Sequence, residues 1–133
     1  MNIVVDASAA VEFLLRTAVG LRIEGIVADA NLFAPELLDA EVLAVLRRQV
    51  LRGGLAATRA AEALEDLIAW DVDRVSHRQL ARDAWKLRDN VSAHDAFYLA
   101  AARRHGASVI TSDGPLARIP VPTGVVVHDV VRR

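Results

Sequence analysis

Four acidic side chains stand where the sequence offers them no basic neighbour, and carboxylates that gather unpaired do chemistry with cations. Asp6 directly follows the apolar run "NIVV" (2–5), and Asp113 follows "SVITS" (108–112). Glu41 lies inside "LLDAEVLAVL" (37–46), with Leu37 and Leu38 one helical turn before it and Ala44 and Val45 one turn after. Side chains three and four apart on a helix are the ones that touch, so Glu41 has no basic neighbour on its own helix. Asp95 repeats the pattern, flanked at the same spacings by Val91, Ser92, Tyr98 and Leu99. Carboxylates about 4 Å apart repel by roughly 4 kcal/mol per pair at an effective dielectric near 20. A cluster of them raises its own pKa values or binds a cation. All-oxygen sites suit hard divalent ions such as Mg2+ or Mn2+, whereas zinc prefers nitrogen and sulfur. The matching chemistry is metal-assisted phosphodiester hydrolysis, in which the ion activates water and neutralises charge on the transferring phosphorus.

Each acid also admits a local role. Asp6 is placed to cap the helix that follows it. Ser92-x-x-Asp95 matches a capping box with Asp in place of the usual Glu or Gln, and Asp113-Gly114-Pro115 is ordinary turn chemistry. Glu41, in mid-helix, has no cap to serve, and a distant arginine is its local alternative. The local roles must hold four times independently, while a shared site needs one cause.

The elements that must position these acids alternate between strand and helix. "NIVV" reads as a buried strand, and "ASAAVEFLLR" (7–16) and residues 18–29 as helices. "LFAP" (32–35) is a short extended piece, with Pro35 suited to a helix start. The strongest helix covers 36–51 and ends at Gly53-Gly54; a second, amphipathic one covers 58–70. "DVDRVS" (71–76) alternates as a strand, and 78–89 and 92–105 are helical, the latter closed by Gly106. "SVIT" (108–111) is another buried strand, Gly114-Pro115 turns the chain, and "GVVVHD" (124–129) is the last strand. Such alternation predicts an α/β sandwich around a mostly parallel sheet. In open parallel sheets ligands bind beyond the carboxyl ends of the strands, where Asp6 and Asp113 fall. No repeat or linker divides residues 1–133, which read as one domain.

Composition narrows the function classes. Hydrophobic residues make up 53% of 133, which rules out a disordered chain. Sixteen basic against 17 acidic residues give a net charge of −1, so nucleic-acid binding must come from a local patch. Lys86 is the one lysine; the other basic residues are arginines, suited to bidentate phosphate contacts. With no cysteine there is no disulfide, thiolate catalysis or zinc–thiolate site. The N-terminus lacks a basic segment and carries Asp6 and Glu12, unlike a signal peptide. No apolar run reaches the roughly 20 residues of a membrane span, so the expectation is a soluble cytoplasmic domain.

"IVVDASAAVEFLL" (3–15), "APELLDAEVLAVLRR" (34–48) and "SAHDAFYLAAARRHGASVITSD" (92–113), with the final short strand, resemble a PIN-domain ribonuclease. The closest likeness is to the VapC-type toxin of bacterial toxin–antitoxin pairs. It covers nearly the whole chain, with the motifs in the family's order. The resemblance implies a PIN-like three-layer sandwich in which Asp6, Glu41, Asp95 and Asp113 hold one or two Mg2+ or Mn2+ ions for endoribonuclease cleavage. Ser8 would be the small hydroxyl after the first acid, and Thr111 or Ser112 the supporting hydroxyl near the last. It further implies an RNA substrate, a homodimer and a small VapB-type antitoxin that blocks the site. One departure is Ala44, where many relatives carry asparagine three residues after the helical glutamate.

Other residues weigh less. His94 adjoins Asp95, but neighbouring helical positions point about 100° apart and are not expected to share a site. His77, His105 and His128 read as surface residues, and Trp70, Trp85 and Tyr98 as core or interface. Arg47, Arg48 and Arg52 are candidates for RNA phosphates, although basic residues late in a helix also complement its dipole. A haloacid-dehalogenase-like phosphatase would need an aspartate where Ser8 stands, and a response-regulator receiver a lysine after a late strand; Lys86 is placed in a helix. The alternative from another class is a catalytically silent PIN-like binding or scaffold module.

Overall fold

The first strand, β1 (Asn2–Val5), sets the architecture because its side chains are buried on both faces: Ile3 and Val5 join one core and Val4 the other. A strand hidden on both sides reads as a continuous apolar run and belongs in the middle of a parallel sheet. The computed structural model describes residues 1–118 and 125–131. In chain order the further elements are α1 (Ala7–Leu14), α2 (Ala18–Val27), β2 (Asn31–Pro35), α3 (Leu37–Leu51), α4 (Ala57–Ala69), β3 (Val72–Val75), α5 (His77–Trp85), α6 (Ala93–Arg104), β4 (Ser108–Thr111), α7 (Gly114–Arg118) and β5 (Val127–Asp129). The sheet runs β3-β2-β1-β4-β5 with every pairing parallel. It is the expected α/β sandwich.

Helices α1 to α4 cover one face, where Ile23, Leu38, Val42, Leu46 and Leu67 pack with Ile3, Val5 and Ile110. Helices α5 and α6 cover the other, where Leu80, Tyr98 and Leu99 pack with Val4 and Val109. Within the first layer α2 comes so close to α1 that a Cβ at Gly20 would lie 1.9 Å from the Glu12 carbonyl oxygen. Gly53 (φ 78°) follows α3 and Gly106 (φ 58°) follows α6. After α6, the Gly106 amide reaches Arg103 O at 3.4 Å and the Ala107 amide reaches Ala102 O at 2.8 Å, the double bond of a left-handed helix stop. At the edge strand β3, the Arg74 guanidinium donates to the carbonyls of Leu67, Trp70 and Val72 and to Asp39.

Four segments differ from the sequence-based expectation. Pro35 does not open a helix: it ends β2, paired with Val75, and α3 begins at Leu37. The helix expected over 78–89 stops at Trp85, where shorter-range turn bonds (Leu87 N–H to Ala84 O, Asn90 N–H to Leu87 O) bring Leu87 into the core. Gly114-Pro115 opens the short helix α7 rather than only turning the chain, since proline is tolerated in a first turn whose amides have no partner. The last strand occupies 127–129 of the expected 124–129, and Gly124 lies outside the described residues.

Candidate active site

The sheet order places β1 beside β4, so the chain leaves β1 toward one side of the sheet and returns to the other. Such a reversal opens a crevice beyond the strand ends, and Asp6 and Asp113 flank it. Asp6 extends the ladder, its amide donating to Ile110 O at 3.2 Å. As expected it also caps α1: Oδ1 accepts the Ala9 amide at 2.9 Å and the Ser8 hydroxyl at 2.7 Å. Oδ2 accepts the Thr111 hydroxyl at 2.5 Å. Burial raises the Asp6 pKa to about 6; the Ala9, Thr111 and Ser8 hydrogen bonds oppose the rise, and the nearby Asp113 charge adds to it.

Ser8 and Thr111 are knitted together, their hydroxyls 3.1 Å apart. Thr111 also accepts the Asp113 amide at 2.8 Å, fixing the backbone that carries that acid. Of the two candidate hydroxyls it is Thr111 that meets Asp6; Ser112 contributes its main-chain amide, which donates to Ser8 at 3.0 Å. Asp95 stands in the first turn of α6, where the Ser92 hydroxyl accepts its amide at 3.2 Å, one half of the expected capping box. Its pKa is raised, first by burial and also by the Asp113 charge, against the Ser92 hydrogen bond and the neighbouring His94. Asp6, Asp95 and Asp113 thus share one field.

Glu41 approaches from α3, and its hydrogen-bond donor is a phenol. The Tyr98 hydroxyl, on α6, donates to Glu41 Oε1 at 2.7 Å. Burial, and then the Glu41 charge, raise the Tyr98 pKa and keep the phenol protonated; Asp6 acts in the same sense, and the nearby Ala7 amide opposes the rise. His94 Nδ1 lies 3.6 Å from Glu41 Oε2. His94 therefore does join the site, contrary to expectation, because two elements form its walls: the imidazole meets Glu41 of α3 while Asp95 interacts with Asp113. A cleft of about 760 Å³ opens beside Glu41, with Ala7, Ala44, Arg48, His77 and His94 among its lining residues.

The structure separates the candidate arginines. Arg48 lines this cleft two turns along α3 from Glu41. Arg47 instead lines an apolar groove between α3 and α4 beside Leu43 and Leu51. Arg52 caps the end of α3 through its backbone. Two histidines expected at the surface are ring-stacked, His77 on Phe97 and His105 on Phe33, with centroids 4.3 and 4.2 Å apart. Tyr98 is the main site residue that sequence reasoning missed; its spacing of three from Asp95 on one helix was the available signal. Among the described residues, no three Asp, Glu or His side chains already close around one point as a metal cage.

Comparison with known proteins gives a consistent picture. The profile of the family described as PIN domain matches residues 3–122. Ribonuclease VapC1 of Mycobacterium tuberculosis is 37% identical over 119 residues, covering 88% of this chain and 90% of the relative. Ribonuclease VapC3 of the same species is 38% identical over 122 residues, covering 88% and 86%. Among solved structures, VapBC2 from Rickettsia felis, bound to a DNA fragment from its promoter, superposes with a TM-score of 0.70 at 11% identity over 96% of this chain and 98% of that one. PAE2754 from Pyrobaculum aerophilum gives 0.65 at 17% identity over 99% and 88%. With a profile running from β1 past the last acid and VapC relatives aligned over most of their length, this chain belongs to the PIN domain family.

Proposed function

We propose that this chain is a divalent-metal-dependent endoribonuclease, the toxin of a cytoplasmic toxin–antitoxin pair, that hydrolyses RNA phosphodiester bonds. The observation that carries the reading is geometric: at the sheet's switch point the Asp6 carboxylate is held by the Ser8 and Thr111 hydroxyls, and the same Thr111 hydroxyl fixes the backbone of Asp113, whose charge adds to the rise that burial gives Asp6 and Asp95. A cation relieves that repulsion. The donors fit Mg2+ or Mn2+: all are carboxylate oxygens, and such an ion keeps several waters and shares itself with substrate phosphate. Asp6 and Asp95 would be direct ligands, with Asp113 and Glu41 completing the set. A bound ion supplies charge neutralisation at phosphorus and activation of water.

The chain's own residues supply the rest. Ser8 and Thr111 hold the Asp6 carboxylate in one orientation, Tyr98 does so for Glu41, and Arg48 offers a phosphate contact along the cleft. The names of the VapC relatives support an RNA substrate, and the VapBC complex supports a small VapB-type antitoxin partner. A homodimer belongs to the same reading.

The test uses purified, antitoxin-free protein and cellular RNA, with Mg2+ or with chelator, beside Asp6→Asn and Asp95→Asn. Cleavage should need the ion and both acids. Cleavage that survives chelator or both substitutions overturns the metal mechanism, and no cleavage of any RNA favours a catalytically silent PIN-like module.

A further inference from the structure

Helix α3 begins without a cap of its own. Glu36, the residue before it, has helical backbone angles (φ −60°, ψ −18°), and its side chain bonds none of the first-turn amides. Those amides have no partner inside the helix. One is satisfied from elsewhere: the Leu37 amide donates to His77 Nε2 at 3.0 Å, across 40 positions of sequence. The exchange is reciprocal, because the His77 amide donates to Glu36 Oε1 at 3.1 Å. The starts of α3 and α5 therefore clasp each other beyond the ends of β2 and β3.

The histidine ring is itself held. It stacks on Phe97 at 4.3 Å with the planes 21° apart, and Phe97 lies two residues after Asp95 on α6. To accept the Leu37 amide, Nε2 carries no proton, which leaves the ring proton on Nδ1, 4.0 Å from Glu36 Oε1. One ring thus touches the first turn of the helix that bears Glu41 and, through Phe97, the helix that bears Asp95. Leu37 is one turn before Glu41, and both line the same cleft as His77.

We propose that His77 is a positioning residue for Glu41. Its Nε2 fixes the first turn of α3 against α5, which packs on α6, and so sets where the Glu41 carboxylate stands in the cleft. An ordinary Ser or Asp cap would satisfy the amide from within the same segment and add no tie between α3 and α5; an acceptor on another helix does. His77 acts through α3 and not on the RNA. The proposal rests on the reading that Glu41 serves the cleavage site.

The test compares His77→Ala with His77→Gln. Both lose the ring stack on Phe97, but glutamine keeps an acceptor for the Leu37 amide. The alanine variant should lower kcat about tenfold with KM changed less than twofold, and the glutamine variant should return kcat to within about threefold of wild type. Any fall in melting temperature common to both reports the stack alone. An independent readout in metal-free protein is the Glu41 side-chain carboxyl NMR resonance with amide exchange over residues 37–41. Both should change in His77→Ala and revert in His77→Gln. Equal loss of kcat in the two variants overturns the proposal, as does an unchanged Glu41 resonance in His77→Ala. A wild type that cleaves no RNA instead overturns the ribonuclease reading, and the resonance then decides the positioning role by itself.

Discussion

The hydroxyl of Tyr98 donates to Glu41 Oε1 across 2.7 Å, joining side chains 57 positions apart. That bond fixes the one acid that arrives from α3. Tyr98→Phe leaves the ring buried but strips the Glu41 carboxylate of its donor. Leaving such a group unsatisfied costs about 1–2 kcal/mol. The expected outcome is a modest loss in urea unfolding and a roughly tenfold lower kcat with KM little changed. Unfolding and steady-state cleavage measured on one preparation check both.

Stability of the metal-free protein should fall as pH rises through the range set by Asp6. Its pKa in the fold, pushed up to about 6 chiefly by burial, exceeds the 3.8 of an ordinary aspartate. The folded state therefore holds its proton more tightly, and the stabilisation is fully present below about 3.8 and lost as pH climbs through about 6. The upper bound for this group is about 3 kcal/mol. Melts in chelator at pH 5 and pH 7.5 should show the drop in wild type and a smaller one in Asp6→Asn. Mg2+ or Mn2+ should restore wild type at the higher pH.

Arg48 and Arg47 are neighbours in sequence with different surroundings, and they should behave differently. Arg48→Ala, on the cleft, should raise KM for RNA several-fold and flatten the salt dependence of binding by about 0.7 in the log–log slope, the value for one single-strand phosphate contact. Arg47→Ala, on the α3–α4 groove, should leave both within twofold. Binding titrations at three salt concentrations decide the matter.

Thr111→Val keeps shape and volume but loses the bond to Asp6 Oδ2, the contact with Ser8 and the acceptor for the Asp113 amide. The site is fully buried, so the expected loss is about 1–3 kcal/mol. Without that donor the Asp6 carboxylate is harder to ionise. The drop in melting temperature of the metal-free protein should therefore be larger at pH 7.5 than at pH 5, and more cation should be needed for half-maximal cleavage.

How legible the molecule was in its sequence depended on the range of the interaction concerned. β1 and β4 announce themselves by unbroken apolar runs, and the acids that follow them land at the switch point because parallel strands share one carboxyl edge. The partners of Glu41 are not legible: neither is on its own helix, and both Tyr98 and His94 reach it from α6. His77 lies among polar neighbours, and only the packing of α5 on α6 brings its ring to Phe97. His94 was set aside by a rule that holds for one helix facing a flat site. A site walled by α3 as well lets adjacent residues face different partners. The early end of α5 follows from core packing at Leu87, which local propensity does not encode.

The sheet is bounded by short strands, four residues in β3 and three in β5. On the β3 side the Arg74 guanidinium ties that strand to α4 and to Asp39 of α3. Strands this short offer a second polypeptide only a brief ladder to zip onto, which disfavours fibril growth by strand addition.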